Sequence, residues 1–143
     1  MIFSRWMTLS DDQAITATAV STNVIDLGAP GTPYGAAAAL NQDIGKGAPV
    51  PFLVQVTADF DNLTSLNVAL EVGASASLGT VVAEQDVAAA DLVAGKQINL
   101  QCLPNGIDAR YMGVRYTVTG TAPTTGTVTA GVTMGNQTNV TGA

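Results

Sequence analysis

Apolar and polar residues alternate along most of this chain, and that period of two limits the possible folds more than any other feature. From Leu66 to Val72, the residues Leu66, Val68, Leu70 and Val72 share one parity, while Asn67, Glu71 and Gly73 share the other. Successive side chains of a strand point to opposite faces, so such a run buries one face and wets the other. The same holds for Phe52, Val54 and Val56 against Gln55, Thr57 and Asp59. Met112, Val114, Tyr116 and Val118 oppose Arg115, Thr117 and Thr119 in the same way. Val128, Ala130, Val132 and Met134 return across the Gly120–Gly126 loop, which makes this the clearest hairpin. Shorter strands are expected over Ile15–Val20, Val24–Leu27, Thr80–Asp86 and Gln97–Leu103.

Turn chemistry separates these runs. Ser10-Asp11-Asp12-Gln13, Asp61-Asn62-Leu63 and Pro104-Asn105-Gly106 read as reversals, and Val87–Ala94 as a short helix or turn stopped by Gly95. Residues 28–50 differ, because Pro30, Gly31, Pro33, Gly35, Gly45, Gly47 and Pro49 forbid a long strand. A single helical turn over Ala36–Leu40 is expected inside this loop. About eight short strands with regular turn signals predict an all-β, jelly-roll-like antiparallel β-sandwich. The expected organisation is an apolar amino-terminal arm over 1–12, the sandwich over 13–135 with its long loop 28–50, and a polar tail over 136–143.

Composition narrows the function. At 143 residues the chain suits one domain with a self-sufficient core. Charged residues make up 11%, well below the ~25% usual for soluble domains. Such a surface costs little to desolvate, which suits a protein that meets other proteins. The formal charge of −6 argues against a nucleic-acid partner, since phosphates need clustered cations. No apolar run approaches the ~20 residues of a membrane helix, and no membrane partner is expected. The segment Met1–Leu9 reads as too short for a signal peptide and is interrupted by Arg5. The Asn-x-Thr triplets at Asn62, Asn136 and Asn139 read as polar turn and tail.

Reactive side chains are scarce. Histidine is absent, which removes the usual serine triads. Cys102 is the single cysteine, so no intrachain disulfide exists; its parity with Ile98 and Leu100 predicts a buried, inert thiol. Asp59-Phe60-Asp61 beside Asn62 supplies too few oxygens for calcium and reads as a solvated turn. No spacing forces Glu71, Glu84, Asp86 and Asp91 into a glycosidase pair. Neither catalysis nor a metal or cofactor is therefore expected. Tyr111 and Arg115 read as sheet-face residues. Trp6, beside Phe3 and Arg5, has two roles open to it: sealing an edge of its own sandwich, or anchoring to a neighbouring subunit. Tyr34 in the long loop is a further anchor candidate.

Two segments carry a family resemblance. Gln13–Ala19, continuing through Ser21–Gly28, resembles the amino-terminal signature of a family of tailed-bacteriophage capsid cement proteins. Ala90–Gly95, then Arg110-Tyr111 and Tyr116–Gly120, is similar to that family's central and carboxy-terminal strands. The family is the one known from the head cement protein of a short-tailed Bordetella phage, and the resemblance runs from about Leu9 to Met134. It implies a jelly roll on the outer surface of a virion head, clamping neighbouring major capsid protein subunits as a homo-oligomer, a dimer or trimer. The 28–50 loop is longer than the family's pattern. The expected interface residues are Ile2, Phe3, Arg5, Trp6, Met7 and Tyr34, with residues 1–9 dispensable for folding. The alternative is a carbohydrate- or receptor-binding β-sandwich module of a virion.

Overall fold

The computed structural model describes residues 2–98 and 100–135, which form two antiparallel sheets packed face to face. In chain order the strands are β1 (Phe3–Ala14), β2 (Ala19–Val20), β3 (Ile25–Asp26), β4 (Phe52–Ala58), β5 (Leu63–Gly73), β6 (Thr80–Ala88), β7 (Gln97–Ile98), β8 (Tyr111–Gly120) and β9 (Thr127–Thr133). One sheet runs β1-β9-β4-β7, and the other runs β2-β8-β5-β6 with β3 also on β8. The expected tail and the triplets at Asn136 and Asn139 lie outside the described residues.

The pairing is nested. β5 pairs with β6, β4 with β7, β2 and β3 with β8, and β1 with β9, all antiparallel. That is one long hairpin wound on itself, and the β4–β9 and β5–β8 ladders close each sheet across the winding. The expected jelly-roll-like sandwich is therefore what the chain forms. Each inward parity meets the other: Phe52, Val54 and Val56 face Leu66, Val68, Leu70, Val114 and Tyr116 in one continuous core. Tyr116 keeps its hydroxyl satisfied there by a 2.8 Å hydrogen bond with Ser10 Oγ.

The amino-terminal segment departs from expectation. From Phe3 it is not a free arm but the long edge strand β1, and Leu9 is fully buried in the core. Ser10–Gln13, expected as a turn, stays within β1 because the extra residues are absorbed as bulges. Asp12 takes a positive φ of 45° at one of them. Gln13 secures this stretch, donating to Val20 O and accepting from Ser10 Oγ and from Thr22 N–H. The strand expected over Ile15–Val20 shrinks to Ala19–Val20, because Thr16–Thr18 carry the chain from one sheet to the other.

Other elements are also shorter than their patterns. β7 ends at Ile98, and the described residues that follow next meet the chain beside β4 in an isolated Pro51–Cys102 bridge, so parity no longer governs and Cys102 is exposed. Val87–Ala94 contributes the end of β6 and a 3-10 turn at Ala89–Asp91. The long loop forms no helix at Ala36–Leu40; it makes two reversals, with Ala36 N–H on Pro33 O and Leu40 N–H on Gly31 O.

Because β1 closes the winding and buries Leu9, Leu9→Ala is expected to cost about 2–5 kcal/mol. Deleting residues 1–9 should lower the urea midpoint sharply, whereas an independent arm would leave it unchanged.

Candidate docking surface

The nested pairing sends alternate loops to opposite ends of the sandwich. One end carries Asp59–Asn62, Ala89–Lys96 and Thr121–Gly126. The other carries the 27–51 loop, the 74–79 turn and the 100–110 segment, together with the start of β1 and the end of β9.

The first end is stapled by carboxylates. Asp61 accepts from Thr124 N–H at 2.7 Å, Thr125 N–H at 2.9 Å, the Thr124 hydroxyl and the Asn62 amide. These bonds, led by the Thr124 hydroxyl, hold its carboxyl below the usual range. Asp59 accepts from Ala94 N–H at 2.6 Å, and Phe60 N–H donates to Leu92 O. Phe60 also lies where a side chain on Gly126 would sit, so the loops interlock. The pair expected as a solvated turn therefore ties three loops together.

The second end combines pinned and open parts. Asp43 accepts from Gly106 N–H at 2.9 Å, Gly45 N–H at 3.0 Å and Ile107 N–H at 3.2 Å. The Gly106 bond is the foremost reason its carboxyl titrates below the ordinary value. Gly45 has no alternative, because a Cβ there would fall 1.8 Å from Pro104 O. Arg110 forks onto both oxygens of Asp26 at 2.8 and 2.9 Å, and its side-chain hydrogen bonds, followed by Gly28 N–H, bring Asp26 down to about 2. Between these pins every residue from Ala29 to Gln42 is exposed, Tyr34 completely so.

The start of β1 completes this end. Phe3 pairs with Thr133, yet Thr8 pairs with Gly131, so Ser4–Met7 bulge out of the ladder. Thr8 Oγ1 closes the bulge on Ser4 O at 2.9 Å. Gly131 permits the crossing: a Cβ there would lie 2.8 Å from Met7 O and 2.9 Å from Thr8 Cα. Leu53, opposite Gly131 in the register, is consequently buried on the outer face of its sheet. The bulge holds Trp6 outward, 93% exposed, with Arg5 and Met7 exposed beside it in sequence. Ile2 (67%) and Met134 (82%) add apolar surface and are joined by Met134 N–H on Ile2 O.

The sequence-derived interface residues therefore share one end. Ile2, Arg5, Trp6, Met7 and Tyr34 are exposed there, and Phe3 is half-buried in the ladder. Sequence reading missed Met134, which was assigned to the inward parity of β9, and Leu40, exposed in the loop. Glu71 is buried near the same end, its Oε1 on Arg115 Nε at 2.8 Å, while Arg115 Nη2 donates to Ser77 O. Glu84, Asp86 and Asp91 lie exposed on β6 and the 3-10 turn, so the four carboxylates build no shared cleft.

Charge is divided between the ends. Three ion pairs, Lys46–Asp43, Arg110–Asp26 and Arg115–Glu71, cancel on the Trp6 side, as do Arg5 and Asp108. The waist and far half hold Asp11, Asp12, Asp59, Asp61, Glu84, Asp86 and Asp91 against Lys96 alone. The formal charge of −6 thus resides away from the apolar end. An end whose charges balance sets up no net potential against a partner of either sign.

A family model places this sandwich. The Bbp16 model matches residues 9–132, and the chain belongs to the Bbp16 family, a Bordetella phage protein family. No curated protein matches the chain. Among the described residues no helix is long and apolar enough to cross a membrane.

Trp6→Ser removes a side chain that touches little of its own fold, so its unfolding free energy should stay within about 0.5 kcal/mol of wild type, as read by urea denaturation. Gly131→Ala should instead destabilise the protein, since the backbone of β1 occupies the space. For Asp26 the folded pKa lies below the ordinary 3.8, so its contribution is complete above that value and is lost as pH falls through about 2. The amide-exchange protection factor at Leu27, whose N–H donates to Arg110 O, should fall over that window while those of the β5 amides hold.

Proposed function

We propose that this protein is a capsid cement, or decoration, protein that binds the outer surface of a tailed-phage head and clamps neighbouring major capsid subunits. The observation that carries this reading is Trp6, held 93% exposed on a closed bulge of a core-anchored strand. A large aromatic costs less entropy to dock when its backbone is already fixed, and Trp and Arg are favoured interface anchors. Membership of a phage protein family supports a virion role. The chemistry required is binding alone. A ligand that associates only with the assembled shell stabilises it by mass action, and a contact that spans two subunits opposes their separation. Assembly of this protein as a dimer or trimer multiplies the grip, since later contacts become intramolecular.

The Trp6 end faces the shell in this reading, and the acidic end faces solvent. Cys102 provides a native probe, being exposed at the Trp6 end. Heads lacking this protein should bind wild type to saturation and protect Cys102 from a maleimide. Trp6→Ala should lower occupancy about tenfold or more, the loss expected of a hot-spot tryptophan. Full occupancy by Trp6→Ala, with Cys102 still open to the reagent, sinks the assignment of this end. The exposed Trp6 and Tyr34 also favour a second reading, a carbohydrate-binding virion module, because sugars stack on such rings. Saturable glycan binding that Trp6→Ala abolishes, without binding to heads, would establish that reading instead.

A further inference from the structure

Asn105-Gly106 is a sequence with intrinsic chemistry of its own. The backbone nitrogen after an asparagine can attack that asparagine's side-chain carbonyl, and glycine there leaves the nitrogen unhindered. The turn is exposed, and Gly106 has a φ of 102° that a side chain would strain. In the folded protein this nitrogen is occupied: its N–H donates to Asp43 Oδ2 at 2.9 Å, and Ile107 N–H donates to Oδ1 at 3.2 Å. The attacking species is the deprotonated nitrogen. Removing that proton beside a carboxylate would set two negative charges against each other, which disfavours it.

We propose that Asn105 is a site of spontaneous intrachain deamidation whose rate is gated by the Asp43 clasp. When the clasp opens, Gly106 N loses its proton to solvent and bonds to Asn105 Cγ. The Cγ–Nδ2 bond breaks, and ammonia leaves with the proton it gains. The resulting five-membered imide is hydrolysed by one water to aspartate or isoaspartate. No oxidant, metal or enzyme takes part.

The product acts on the clasp itself. A new carboxylate arises one residue from the amide that Asp43 holds. In the isoaspartyl form the main chain is also one carbon longer, between Pro104 O, against which Gly45 packs, and the Gly106 N–H. Both changes work against the Gly106 and Ile107 bonds on Asp43, which fasten the loop carrying Tyr34 and Leu40 to the 100–110 segment. Deamidation is thus a one-way release of that loop, and this holds whether or not the loop meets a capsid.

The test compares intact wild type, Asp43→Ala, Gly45→Ala and Asn105→Gln, incubated near pH 8. Site-resolved mass spectrometry and isoaspartyl-methyltransferase labelling read the conversion, with the urea-unfolded chain as the ungated reference. Intact wild type should convert at Asn105 at least about tenfold more slowly than the unfolded chain, as for a group reacting only from a locally opened state. Asp43→Ala should recover much of that factor. Gly45→Ala, which keeps the carboxylate but forces the loop off Pro104, should accelerate conversion as well, so a folding defect in one variant does not decide the outcome. Asn105→Gln should block it, and converted protein should exchange faster at the Ile44 amide, which donates to Ile107 O. Equal rates in wild type and both clasp variants, or wild-type conversion as fast as in the unfolded chain, would overturn the gating by Asp43.

Discussion

The pairing of β1 with β9 is the contact on which the rest depends. It joins the first described strand to the last, and it seals the outermost turn of the wound hairpin. Without it Leu9 would leave the core, Ser10 would leave the Tyr116 hydroxyl, and β9 would present an open edge. The same ladder cannot be regular. Twelve residues of β1 face seven of β9, and the surplus appears as bulges, with Ser4–Met7 as the largest. Closure of the fold and outward display of Trp6 are therefore two results of one mismatch in strand length.

The two ends are organised by different physics. At the far end Asp59 and Asp61 use backbone amides and threonine hydroxyls to knit three loops, with no cation needed. At the Trp6 end carboxylates are matched by Lys46, Arg110 and Arg115, and the segment between the pins is left open. One end is cross-tied and acidic; the other balances its charges and exposes aromatic and aliphatic side chains. The proposed role would use this asymmetry, because identical ends would give no preferred orientation on a surface.

Much of the sandwich was legible in advance. The strands from Phe52, Leu66, Met112 and Val128 turn their alternating apolar residues into the core, because each lies in a sheet with neighbours on both sides. The reading failed where that condition lapsed. Cys102 follows Ile98 and Leu100 in parity but lies after the chain has left its sheet. Leu53 breaks parity because β1 crosses over the outer face at Gly131. The amino-terminal segment looked like an arm since its bulges erase the alternation that would have marked it as a strand.

By itself the sequence determined an all-β chain with one long Gly/Pro-rich loop, few reactive groups, and Trp6 and Tyr34 as aromatic anchor candidates. These follow from local periodicity and side-chain chemistry, which need no partner to be read. Only the tertiary structure decided that β1 closes the winding, that Asp43 and Asp61 are loop fasteners, and that Ile2, Trp6, Tyr34 and Met134 come to one end. Those outcomes rest on pairings between residues far apart in the chain. Register, bulge position and end assignment are properties of two strands together, and neither strand encodes them alone.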